Sequence, residues 1–274
     1  MVIVENGYIP ADLAEALKIR GEQTVIPYAG GTDLMVDAED HAYLFLNKVP
    51  ELKRISEDET YLKIGAAATF TEILNYPGTP EILKAAIHYL AAPAIRNMAT
   101  AGGNVSNASP KADSSLIFYV SDTLLKLASA KGERILPIED FITGRGKTAL
   151  QADELLVEFL MPKKGLENYY YEKVGARKAL AISRVAFAGL FNMEGERITR
   201  CAAAFGSVAD VVLRFRDFEA MMIGLTLPEA KAVKSEFLAK YDQAIVPIRG
   251  RVSADYRKHV CMNLLEDFLT QNGI

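Results

Sequence analysis

The sequence has no tryptophan, two cysteines and three histidines in 274 residues. Cys201 and Cys261 lie far apart and form no Cys-x-x-Cys pair. That argues against a disulfide framework, a cysteine-ligated zinc or an all-cysteine iron–sulfur cluster built from this chain alone. His41, His88 and His259 lack metal-ligand spacing, so no metal site is expected. There is no Gly-x-Ser-x-Gly elbow, and neither cysteine has a nucleophile's surroundings, which leaves hydrolase chemistry without a candidate. Basic residues are not in excess: 31 Lys and Arg stand against 35 Asp and Glu, a net charge of −4. A nucleic-acid binder needs a basic face and is disfavoured. No apolar run approaches the ~18 residues of a membrane span. Met1-Val2-Ile3-Val4-Glu5 lacks the basic and apolar regions of a signal peptide, so a reducing cytoplasm is the expected location. Repeats and low-complexity tracts are also missing.

What is present is ordinary globular material, 50% hydrophobic and 24% charged, enough for one large or two medium domains. The spacing predicts a helix from Pro10 to Lys18 stopped by Gly21, and short strands at Thr24–Tyr28 and Tyr43–Leu46. A hairpin is expected from Leu52–Ser56 and Tyr61–Ala66 around a polar turn. Helices follow at Thr69–Leu74, Glu81–Leu90 and Ser114–Val120, and strands at Thr123–Ser129 and Leu155–Met161. A boundary is expected near Pro162-Lys163-Lys164-Gly165, giving units of 1–165 and 166–274. Beyond it, strands are read at Tyr169–Val174, Arg184–Met193 and Ile198–Phe205, and helices at Val212–Met222, Glu229–Lys240 and Ala254–Leu269. The class is α+β.

Two glycine pairs carry the chemistry. Gly30-Gly31 ends an apolar run and leads into Thr32, Asp33 and Leu34; Gly102-Gly103 sits in Arg96–Asp113, a small, polar stretch between apolar helices. Paired glycines admit φ > 0 and close approach to the main chain. Successive N–H groups in such turns form a nest for an anion. Thr32, Thr100, Asn104 and Ser106 add hydroxyl and amide partners. Two such turns can grip one pyrophosphate from both sides; each can also be a plain tight turn. Gly144-Arg145-Gly146-Lys147-Thr148 imitates a P-loop, but Phe141 stands where that motif needs glycine, so a hairpin loop is the better reading. Asp113 reads either as a helix cap or as an acceptor for ligand hydroxyls. Tyr169-Tyr170-Tyr171-Glu172-Lys173 is either a surface strand, or one presenting a cation to an electron-rich ring or phosphates. Alternation puts Tyr169, Tyr171 and Lys173 on one face.

These residues resemble a known family. Ala29-Gly30-Gly31-Thr32-Asp33-Leu34 looks like its first flavin-binding signature. Thr100-Ala101-Gly102-Gly103-Asn104, followed by Ser106, Pro110 and Asp113, looks like its second, with Ala101 in place of a larger apolar residue. The Phe141–Thr148 loop, Glu154-Leu155-Leu156, Lys173 with Arg177, and Tyr256-Arg257 recur in the same order. Together they are similar to the FAD-binding medium subunit of molybdenum hydroxylases, the xanthine dehydrogenase and carbon monoxide dehydrogenase type. The resemblance implies a two-part FAD-binding domain of the vanillyl-alcohol-oxidase type over 1–165, divided near 55, and a small α+β C-terminal domain over 166–274. It implies that the backbone of Pro27, Tyr28, Ala29, Gly30, Gly31, Thr32, Asp33 and Leu34, and that of Thr100, Ala101, Gly102, Gly103 and Asn104, hold the FAD pyrophosphate. Asp113 would meet ribityl or ribose hydroxyls, Leu156 and Lys173 would lie near the flavin, and Ile64-Gly65-Ala66 would line the adenine side.

The function so implied is electron transfer within a multi-subunit enzyme. Substrate is oxidised on a large molybdopterin-binding partner; electrons cross two 2Fe–2S clusters on a small partner to FAD, and then reach NAD+ or another acceptor. No side chain of this chain is a catalytic acid or base in that scheme. Two alternatives are a non-catalytic scaffold that has lost its flavin and a free-standing flavin reductase of the same fold.

Overall fold

The computed structural model describes residues 7–36, 41–177, 180–248, 250 and 252–274; the amino-terminal Met1–Glu5 stretch read above lies outside them. The chain forms two units, one of residues 1–79, 90–108 and 122–163, the other of 80–89, 109–121 and 164–274.

In the first unit, β1 (Gly7–Tyr8), β2 (Ile26–Tyr28) and β3 (Tyr43–Phe45) form a parallel sheet with β3 central. The expected hairpin is β4 (Ile55–Glu57) with β5 (Tyr61–Gly65), turned where Asp58 accepts the N–H groups of Thr60 and Tyr61. With β6 (Leu124–Ser129), β7 (Gly132–Pro137) and β10 (Leu155–Pro162) it makes an antiparallel sheet in the order β4-β5-β10-β6-β7. Between them β8 (Ile142–Gly144) and β9 (Lys147–Thr148) pair as a small hairpin, so the P-loop imitation is indeed a turn. Two local expectations fail. The first helix, Leu13–Glu22, runs through Gly21, because the Arg20 guanidinium bonds the Val25 carbonyl and anchors the last turn. Leu52 lies in a helical turn, Pro50–Lys53, because Pro50 at its start is already set to helical φ.

In the second unit, β11 (Tyr169–Val174), β12 (Val185–Glu194), β13 (Arg197–Gly206) and β14 (Leu213–Arg214) form an antiparallel sheet in chain order. Its two faces differ in bulk. Val185, Phe187, Phe191, Cys201, Ala203 and Phe205 pack with Phe237, Tyr241, Cys261, Leu265 and Phe268 of the helices Leu227–Ala244 and Ala254–Gln271. The alternate positions are Ala186, Ala188, Leu190, Ala202, Ala204 and Gly206, nearly all small. Against that smoother face lies the helix Asp113–Val120, all eight residues buried; a Cβ on Gly206 would stand 3.7 Å from Leu116. The helix Glu81–Tyr89 packs on β11. Two helices from the first half of the chain thus belong to the later unit. The helix expected over Val212–Met222 is instead β14, a turn of helix at Arg216–Glu219 and a 3-10 turn. The reason is a buried bidentate pair: Arg214 meets both Glu219 oxygens at 2.8 and 3.0 Å, and Glu219 also accepts the Ala203 N–H. No helix among the described residues is long and apolar enough to cross a membrane. Overfilling the small face tests this packing: Ala204→Leu should cost about 1–3 kcal/mol in urea unfolding, as strain in a filled core does.

Candidate functional site

The first glycine turn leaves β2 at Tyr28, whose ring packs on Phe45 and Tyr43 at 5.0 and 6.0 Å between centroids. Gly31 has φ +68°, and any Cβ there would strike the Tyr28 hydroxyl. Gly30 lies directly on the chain before the second motif: its Cβ would fall 1.9 Å from the Met98 carbonyl oxygen and 3.2 Å from Ala99 Cα. The two glycine segments, remote in sequence, are therefore in contact. Beyond them the layering continues. Residues 99–102 run along 66–70, with Phe70 N–H to Ala99, Ala101 N–H to Ala68 and Gly102 N–H to Ala66, at 3.0, 3.1 and 2.8 Å. A Cβ on Gly102 would meet Ala66 at 2.6 Å, and one on Gly65 would meet the Leu52 carbonyl oxygen at 2.3 Å. One glycine permits each backbone contact.

The two motifs differ in what they can donate. The N–H groups of Ala101, Gly102, Gly103 and Asn104 all have acceptors, namely the Ala68 and Ala66 carbonyls, the Thr100 hydroxyl and the Thr100 carbonyl. Those of Ala29, Gly30, Gly31, Thr32, Asp33 and Leu34 donate to no described residue. Such a run leaves main-chain donors available to a ligand. Gly103 is different again. It opens the helix Ala101–Ser106, is exposed, has no positive φ, and a Cβ there would press only on the Thr100 hydroxyl at 2.9 Å. Asn104 and Ser106 are half-buried on the same helix, and Asp33 is exposed. Ile64 is fully buried in β5, and Leu156 is buried in β10 beside Val157, whose carbonyl accepts the Ala66 N–H.

Asp113 and Lys173 belong to the second unit and meet each other. Lys173 Nζ bonds Asp113 Oδ2 at 2.6 Å and the Tyr89 carbonyl at 2.9 Å, and the Ser183 hydroxyl donates to Asp113 Oδ1 at 2.7 Å. Both charges are almost wholly buried. Burial, outweighing the Lys173 ammonium and the Ser183 hydroxyl, holds the Asp113 carboxyl above its ordinary range. Tyr171 lies on the same side, its ring 6.4 Å from Tyr89, whereas Tyr170 turns into the core against Phe187, as alternation predicts. Neither the backing role of Gly65 to Ala68 nor Ser183 was assigned from sequence. The first had a signal, a run of small residues between a strand and a capped helix; the second had none. No group able to hold a metal occurs among the described residues.

Two outcomes test this geometry. In urea unfolding without ligand, Gly30→Ala and Gly102→Ala should each cost about 1–3 kcal/mol or more, whereas Gly103→Ala should change stability by less than about 1 kcal/mol, alanine's helix preference being offset by pressure on the Thr100 cap. Lys173→Met should cost about 3–5 kcal/mol by stranding a buried carboxylate, and Asp113→Asn in the same chain should recover part of it.

The family model described as the FAD binding domain in molybdopterin dehydrogenase matches residues 5–164, and that of the CO dehydrogenase flavoprotein C-terminal domain matches 169–272. The xanthine dehydrogenase FAD-binding subunit of Escherichia coli O157:H7 is 29% identical over 95% of this chain and 93% of its own length. The nicotinate dehydrogenase FAD-subunit of Eubacterium barkeri is 29% identical over 96% of each. In fold, a chain of carbon monoxide dehydrogenase from Hydrogenophaga pseudoflava superposes with a TM-score of 0.89 at 22% identity, covering 98% of this chain and 97% of that one. The chain thus belongs to the FAD-binding medium subunits of the xanthine dehydrogenase and CO dehydrogenase type of molybdenum hydroxylase, an oxidoreductase subunit whose cofactor is FAD.

Proposed function

We propose that this subunit carries electrons between iron–sulfur clusters on a small partner and NAD+ or another acceptor, while a large molybdopterin-binding partner oxidises the substrate. The observation that carries the reading is the run of N–H groups from Ala29 to Leu34 that donate to no described residue, in a turn whose Gly30 packs on Met98 and Ala99. A diphosphate needs several main-chain donors that the protein itself does not use, and the amides of residues 29 to 34 are such a set. In this reading Pro27 and Tyr28 aim the turn, and the amides of residues 29 to 34 hold the pyrophosphate. Gly103 leaves room for it, and the side chains of Thr100, Asn104 and Ser106 border it. Ile64 and Leu156 are the apolar wall beneath. Bound there, FAD supplies a carrier that accepts electrons singly and releases them in pairs. The chain's own tasks are to bind, orient and shield. In the second unit, Lys173 uses two of its three N–H groups on Asp113 and Tyr89. The third is a donor for an electron-rich ring or a phosphate, with Asp113 holding the ammonium in place. The reading places the complex in the cytoplasm.

Co-purification of the native complex with analysis of flavin, molybdenum and iron tests the assignment: all three are expected together, and a complex with molybdenum and iron but no flavin would leave only the scaffold alternative. A subunit that reduces its acceptor without partners would favour the free-standing reductase. Within the site, Gly103→Val should raise the FAD dissociation constant by at least about tenfold, the loss of some 1.4 kcal/mol, measured by flavin fluorescence on a chain whose folding is checked by circular dichroism.

A further inference from the structure

Tyr28 ends β2, immediately before the amides that donate to no described residue. Its side chain folds back under that run. A Cβ on Gly31 would strike the Tyr28 hydroxyl and stand 2.5 Å from Cζ and 2.8 Å from Cε2, so the tip of the phenol lies directly against Gly31. Gly31 is inside the stretch 29–34, and the hydroxyl therefore lies within the run of amides rather than beyond its end. The ring has little freedom. It packs on Phe45 at 5.0 Å and edge-on to Tyr43 at 6.0 Å between centroids, and the Tyr28 carbonyl accepts the Leu46 N–H at 2.7 Å.

What the hydroxyl lacks is a partner. Tyrosine hydroxyls taken out of bulk water usually find one within the protein. Tyr28 is half-buried, yet its oxygen bonds no described residue. It is not sealed in either: the tyrosine hydroxyls buried without a partner are those of Tyr171 and Tyr241, and that of Tyr28 is not with them. A packed ring thus holds an open O–H donor against a turn of open N–H donors, all ready before any ligand arrives. A phenol O–H complements an oxyanion as a peptide N–H does, and hydrogen bonds to charged oxygens are the strong ones.

We infer that the Tyr28 hydroxyl is a side-chain donor to the cofactor's diphosphate, acting beside the amides of residues 29 to 34. The inference rests on the assignment of that turn to the diphosphate and adds a contact outside the glycine signature, which begins at Ala29. In the flavin-free chain water takes the place at the hydroxyl, so the oxygen serves binding and not folding.

The test is Tyr28→Phe in the full chain, which removes the oxygen and keeps the ring. Without flavin its Tm should stay within about 1 °C of the parent's, since no bond inside the protein is lost. Its FAD dissociation constant, measured by flavin fluorescence, should rise by about tenfold or more, as for a hydrogen bond to a charged group. The phosphorus resonances of bound FAD should shift between parent and variant, while the flavin absorption bands stay in place. A dissociation constant within twofold of the parent's overturns the inference, and so does a fall in the flavin-free Tm, which would make the hydroxyl a structural group. Absorption bands that move while the phosphorus resonances do not overturn it too, by placing the hydroxyl at the ring system. Failure of the underlying assignment is read separately, in the parent: amides 29 to 34 that gain no protection from hydrogen exchange on FAD binding would remove the diphosphate from this turn altogether.

Discussion

Where Gly30 rests on the Met98 carbonyl there is no space for a carbon atom, and the two glycine segments meet because of that. Gly102 on Ala66 and Gly65 on the Leu52 carbonyl repeat the same solution one layer further in. Side chains normally hold neighbouring segments of backbone apart. Removing Cβ at one residue per contact lets main chain touch main chain, with hydrogen bonds from 99–102 to 66–70 fixing the register. The result is a rigid stack that needs no large side chains. Its outermost layer, residues 29–34, is left with amides that the protein itself does not use. A site formed before its ligand arrives loses little conformational freedom on binding, which is how preorganisation favours affinity.

The second unit answers a different problem, that of burying a whole helix. The helix Asp113–Val120 has no exposed residue, so its ends must be satisfied within the protein. At its carboxyl end Arg200 and Arg214 donate to the Val120 and Tyr119 carbonyls at 2.7 and 2.5 Å. At its amino end Asp113 carries the negative charge that the helix dipole favours there and is neutralised by Lys173. The small face of β12 and β13 lets this helix approach closely, while the aromatic face on the other side builds the main core with the two long helices. The ion pair is thus structural as well as a candidate part of the electron-transfer machinery.

Much of this was legible in the residues. Period and punctuation gave the strands from Tyr169 to Phe205 and the short helix after Thr69, because each is decided locally. Local propensity failed at Val212–Met222, where Glu219 is drawn to Arg214 and the Ala203 N–H, and at Gly21, where the Arg20 bond to the Val25 carbonyl outweighs a weak helix former. The glycine pairs marked where the two segments could meet, but sequence could not say which glycine is taken up by packing and which is left exposed. Gly30 and Gly102 face protein, and Gly103 faces open space; only the neighbours distinguish them. Nor could it say that the amides of Ala101 and Gly102 already have acceptors, since those lie more than thirty residues earlier, at Ala68 and Ala66. Ser183 depends on the same long-range packing and left no mark on the pattern.

The central claim is that the first glycine turn, not the second, donates the hydrogen bonds that hold the cofactor's diphosphate. Amide hydrogen exchange with and without FAD tests it residue by residue. Exchange at residues 29 to 34 should be fast in the flavin-free chain and slow strongly when FAD binds, while residues 101 to 104 should be protected in both states. Strong new protection at 101 to 104 with little change at 29 to 34 would contradict the account.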